Sequence, residues 1–129
     1  MKITALIARY LLGLIFLVFG LNGFLHFIPM PPPPGVAGQF MGALSSSHYM
    51  VLIYLLQVIG AILLIVGRYV PLALALLAPI IANIFCFHAF MAPSGLPLAI
   101  VAVILWLLAA YSVRSAFAGL FEQHATAKT

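Results

Sequence analysis

Four long apolar runs joined by short connectors restrict this chain to one kind of fold. They lie at about residues 10–28, 49–66, 69–91 and 96–113. A helix needs about 20 apolar residues to cross a bilayer, within a range of roughly 17–25, and each run meets that length. Little sequence remains for a soluble domain. Charge agrees with this reading. Only 5% of the 129 residues are charged and 67% are hydrophobic, whereas a soluble domain carries about 25% charged residues. Disorder needs low hydrophobicity and is excluded too. The expectation is an all-α integral membrane four-helix bundle, forming a single transmembrane domain over residues 1–129.

The first run resembles a secretory signal in position only. A signal's apolar region is about 7–15 residues and ends in small residues. This run is longer and ends in Phe24-Leu25-His26-Phe27, so it reads as a retained helix.

The basic residues orient the bundle. Lys2 and Arg9 precede the first span, Arg68 separates the second and third, and Arg114 and Lys128 follow the fourth. With four crossings these positions fall on one side, and the two opposite loops contain no Lys or Arg. Positive charge favours the cytoplasmic side, so both termini are expected there. Tyr10, Tyr69 and Tyr111 adjoin the three arginines and mark the same boundary, since tyrosine favours the interface. The net charge of +4 is scattered, without the basic stripe beside aromatics that nucleic-acid binding needs, and that class is set aside.

The outer loop carries Pro29 and Pro31 to Pro34, an extended stiff run. Val36 to Leu44 then reads as a short interfacial helix with Phe40, Met41 and Leu44 on its apolar side. It would serve as a lid or as a plain connector. Pro79 lies inside the third span and should bend it. A loose repeat links Arg9-Tyr10, Asn22, His26 and Pro29 to Arg68-Tyr69, Asn83, His88 and Pro93. It would relate two hairpins by an axis along the membrane normal.

Polar residues are costly in hydrocarbon and usually face a bundle interior. At about 1.5 Å per residue from the arginine boundary, Gln57 lies roughly 16 Å deep, Asn22 and Asn83 roughly 20–22 Å, and His26 and His88 roughly 25–30 Å. Polarity thus rises towards the outer face, as in a pocket opening beneath the proline loop. Asn22 and His26 share a helix face, four residues apart. Asn83 and His88, five apart, are separated by about 140° and cannot both point inward on an ideal helix. Asn22, His26, Gln57, Asn83 and His88 are the candidate ligand-binding residues. Their plainer role is to bond helices together.

Neutral histidine both donates and accepts, as a quinone head group requires. Bis-histidine haem ligation by His26 and His88 is the weaker alternative. No metal site is expected, since zinc needs three or four convergent ligands. Cys86 is the lone cysteine, so neither an internal disulfide nor a CxxC pair can form, and it reads as a small packing residue. The one side-chain carboxylate, Glu122, lies in the C-terminal tail, away from any acid–base site. No catalytic residue is assigned.

Several stretches together resemble the DoxX-like family of small bacterial membrane proteins, over about residues 5–118. They are Ala8-Arg9-Tyr10, FGLNGFLHFIPMPPPP at 19–34, GRYVPLALALLAP at 67–79 and NIFCFHAFMAPSGLP at 83–97. The resemblance implies a four-helix fold and an association with quinone-linked or thiol-linked redox. Family members often carry a glutamate in the second helix, in an E-x-x-G-G pattern. Here the stretch is Gln57-Val58-Ile59-Gly60-Ala61. The acid is an amide, which leaves a hydrogen-bonding role open and argues against the proton-transfer role that the resemblance would imply at this position. The expected function is a redox-associated subunit that holds a quinone or similar lipophilic molecule, more a component than a stand-alone enzyme. The expected partners are membrane lipid and other membrane subunits, or further copies of the chain. A non-catalytic structural or assembly subunit is the alternative, and a small oligomeric transporter ranks below it.

Overall fold

The computed structural model describes residues 2–127, which leaves the terminal charge of Lys128 outside the described residues. Every regular element in them is helical. Helix α1 spans Lys2–Leu25, α2 Gly35–Ser46, α3 Tyr49–Val66, α4 Val70–Phe90 and α5 Leu96–Ser112. A 3₁₀ turn at Pro93–Gly95 leads into α5, and a 3₁₀ run at Arg114–Phe121 follows it. With the turn at its start, α5 joins α1, α3 and α4 as helices long and apolar enough to cross a membrane.

These four run alternately up and down. Helix α1 packs on α3 and α5, and α4 packs on α3 and α5, so the four close into a ring. Each turns one stripe inward at helical spacing: Ala5, Ala8, Leu12 and Phe16 from α1, Ala61 and Leu64 from α3, Ala73, Leu74, Leu77 and Ile81 from α4, and Ala102 and Ala109 from α5. Their outer faces are equally apolar, with Leu14, Leu52, Leu72 and Leu107 all exposed. A helix that is hydrophobic all round suits lipid outside and a bundle inside. The inward stripe is rich in small residues, which lets backbones approach where no hydrophobic force separates helix from lipid.

Helices α1 and α3 approach through glycines. A side chain at Gly20 would press on Val58 and on Gln57 Cβ, and one at Gly23 would overlap the Tyr54 ring. At the end of α3, Gly67 takes φ +81°, and Arg68 N–H reaches back to the Leu63 carbonyl at 3.2 Å. This left-handed stop turns the chain into α4.

Boundaries differ from the sequence expectation in physically readable ways. Helix α1 begins at Lys2 rather than Tyr10, since hydropathy marks the lipid-facing part of a helix and not its start. It stops at Leu25 because His26 turns to φ +54° and Pro29 cannot continue a ladder. The residues after Val113 are not all polar tail: Phe117 packs against the core.

Candidate functional site

The two ends of the bundle differ chemically. At one end, Arg9 lies over the Gly67 turn, and Lys2 and Arg9 share a cleft with Val70, Ser112 and Val113. The start of α1, the start of α4 and the end of α5 therefore meet there, with Arg68 and Arg114 adjoining. The opposite end carries the proline segment, α2, His26 and His88. Helix α2 packs on α3, and its Phe40 stacks on Phe87 of α4 with ring centroids 5.7 Å apart. The inward face of α2 is Ala37, Met41 and Leu44 at helical spacing, with Ala37 fully covered.

Asn22 is buried in the last turns of α1. Its amide holds the chain that leaves the helix. Ile28 N–H donates to Asn22 Oδ1 at 2.6 Å, and Asn22 Nδ2 donates to the Ile28 carbonyl at 3.3 Å. Both ends of the amide are thus engaged within the chain. His26 follows as an exposed left-handed residue, with its N–H on the Asn22 carbonyl at 2.9 Å.

His88 does comparable work at the end of α4. Its ring lies over Gly95, and Nδ1 is 3.1 Å from the Ala92 carbonyl. A carbonyl can only accept, so Nδ1 carries the hydrogen of this contact and Nε2 is left outside it. Asn83 is exposed on α4, and its Nδ2 donates to the Pro79 carbonyl of its own helix at 2.8 Å. The 140° separation therefore appears in the fold as an exposed Asn83 and a half-buried His88. The two halves of the sequence repeat also diverge: asparagine closes the first turn and histidine the second.

Gln57 stands apart from these. It lies midway along α3, is only 5% exposed, and leaves its backbone towards Gly20 of α1. Among the described residues its amide forms no side-chain hydrogen bond, although Asn22, Asn83, His88 and Trp106 all do. No sealed side-chain nitrogen or oxygen lacks a partner among them, so the Gln57 amide must border an opening.

Two features escaped the sequence reading. Trp106 of α5 donates its indole N–H to the Leu74 carbonyl of α4 at 2.8 Å, just before the ladder interrupted by Pro79. An open apolar groove of about 290 Å³ lies alongside, walled by Ala78, Ala82, Phe85 and Cys86 of α4 and by Val103 and Leu107 of α5. Cys86, expected in packing, is exposed there. The other missed feature is the basic cleft, foreshadowed by the seven-residue spacing of Lys2 and Arg9, two turns on one helix side. Neither cavity is lined by any of the five candidate residues. No group of three His, Cys, Asp or Glu side chains among the described residues could hold a metal ion.

The DoxX family model matches residues 4–89, more than half of the chain, from the start of α1 almost to the end of α4. No curated protein and no solved structure gives a match.

Proposed function

The chain belongs to the DoxX family, and on that footing we propose that it is a redox-associated membrane subunit that holds a quinone or similar lipophilic carbonyl compound at Gln57. One observation carries the reading: a residue only 5% exposed, midway through the apolar depth, whose amide forms no side-chain hydrogen bond among the described residues. Covering a polar group without a hydrogen bond is costly, and a ligand carbonyl that closes over this amide would supply the acceptor it needs. The amide can also accept from a quinol hydroxyl, so both oxidation states can be held. It cannot exchange protons, so the chain binds and orients while electrons come from a partner. Asn22 and Asn83 contribute less than the sequence suggested, because their amides already hold backbone groups. His88 Nε2 and the exposed His26 remain available as second contacts. The same reading puts the basic end on the cytoplasmic side of a bacterial inner membrane.

Titrating the purified chain in mild detergent with a short-tailed benzoquinone tests this. Loss of one hydrogen bond predicts about tenfold weaker binding for Gln57→Leu, with Asn83→Ala unchanged. A wild-type chain that binds no quinone, or a Gln57→Leu variant that binds as well as wild type, would sink the proposal. The second reading, a structural subunit, draws on the other polar groups: Asn22, Asn83, His88 and Trp106 all bond within the chain. It predicts that Gln57→Leu changes stability or co-purifying partners only.

A further inference from the structure

We propose that the cleft at the basic end is a binding site for an anionic phospholipid, with the lipid phosphate between Lys2 and Arg9. This rests on observations separate from those at Gln57. The cleft encloses about 230 Å³ and is lined by Lys2, Leu6 and Arg9 of α1, Val70 of α4, and Ser112 and Val113 at the end of α5. Lys2 and Arg9 stand about 10 Å apart along α1 at helical rise, with Leu6 between them. The walls are apolar and the charges are both positive.

Among the described residues nothing neutralises those charges. The only side-chain carboxylate of the chain is Glu122, beyond the 3₁₀ run and outside the cleft lining. The carbonyls at the end of α5 could have drawn the cations, yet they are already engaged. Tyr111 takes Arg114 Nη1 at 2.8 Å, Ala109 takes the Ser112 hydroxyl at 2.6 Å, and Ala110 takes the Val113 N–H at 3.1 Å. Arg9 is instead positioned by packing, over the Gly67 turn and 4.8 Å from the centroid of the Tyr10 ring.

The level in the membrane selects the ligand. Tyr10, Tyr69 and Tyr111 are all exposed around this end, as tyrosines are where ring meets hydrocarbon and hydroxyl meets head groups. An anion that also offers apolar chains at this level is a phospholipid, and basic pockets between spans suit such head groups. The Ser112 hydroxyl hydrogen is engaged with Ala109, so its oxygen faces ligands as an acceptor, which fits a hydroxylated head group such as glycerol.

The test is native mass spectrometry of the full chain in neutral detergent, titrated with phosphatidylglycerol and with phosphatidylcholine. Phosphatidylglycerol should bind preferentially, and rising salt should weaken it. Lys2→Gln and Arg9→Gln should each weaken it about fivefold, as expected for one basic residue at an anionic surface. Arg114→Gln, outside the cleft, should leave it unchanged. Lys2 is exposed at the first turn, so its variant tests the site without endangering the fold. Equal binding of the two lipids, or unchanged binding in both glutamine variants, would overturn the proposal. So would stabilisation by inorganic phosphate alone to the same degree, or a shift to dimers in place of lipid adducts.

Discussion

Replacing Asn22 by leucine removes both hydrogen bonds to Ile28 while keeping the side-chain volume. The bond at 2.6 Å is a full-strength neutral contact and the one at 3.3 Å a weaker one. A neutral intramolecular bond contributes about 1 kcal/mol net, and bonds inside membrane bundles average about 0.6 kcal/mol. Ile28 is only half-buried, so its freed N–H and carbonyl can find head groups or water and escape the larger penalty of sealed orphans. The expected loss is therefore about 1–2 kcal/mol, or a midpoint lowered by roughly 3–6 °C for a chain of this size. Thermal melting in detergent, followed by helical circular dichroism, measures it. Hydrogen exchange at the Ile28 amide should accelerate in parallel, since that N–H loses its acceptor. Asn22→Ala should cost somewhat more, through the void it adds. If Asn22→Leu melts with wild type and the Ile28 amide exchanges no faster, the clamp contributes nothing, and this account of how α1 ends is wrong.

Two further substitutions probe close approach and backbone conformation. Gly23→Ala forces a methyl into the Tyr54 ring near its root, where the side chain cannot swing aside; it should cost about 1–3 kcal/mol. Adding Tyr54→Ala should recover part of that loss in a double-mutant cycle of melting midpoints, and purely additive effects would contradict the packing. Gly67→Ala should cost about 1–2 kcal/mol from its left-handed backbone alone. The atom it meets is the mobile tip of Arg9, so Arg9→Gln should give no rescue; a rescue above about 0.5 kcal/mol would show steric coupling instead.

The spans were legible because a bilayer fixes a length, and the runs were bounded by Arg-Tyr pairs and prolines. The short helix after the prolines was legible as well, although its inward face proved to be Ala37, Met41 and Leu44, with Phe40 on the flank against Phe87. The polar residues were legible only as depths. Depth follows from counting along a helix, whereas the partner of a polar group depends on how the chain returns. Nothing local in the sequence says that Ile28 comes back to Asn22, or that His88 closes onto Ala92. The 140° step between Asn83 and His88 was informative because it required no knowledge of the rest of the bundle. Trp106 escaped because its acceptor is a backbone carbonyl 32 residues away, and any residue type can present a carbonyl.

The polar groups sort by whether the chain itself completes them, and the sorting separates the proline-loop end from the rest. There, Asn22 and His88 each close the turn leaving an ascending helix, so most of the gradient in polarity is explained by two chain exits that must satisfy their backbone groups inside an apolar bundle. A ligand at that end would have to displace the bonds of Asn22, or use only His26 and the second nitrogen of His88. Among the described residues, the mid-depth Gln57 amide has no side-chain bond to displace, and Lys2 and Arg9 at the basic end have no carboxylate in their cleft. Binding is favoured where it adds a missing partner and disfavoured where it must break an existing one. Mutations at Gln57 and in the basic cleft should therefore alter ligands while leaving the melting midpoint nearly unchanged. Mutations at Asn22 should do the opposite, and a ligand effect at Asn22 without loss of stability would refute this division.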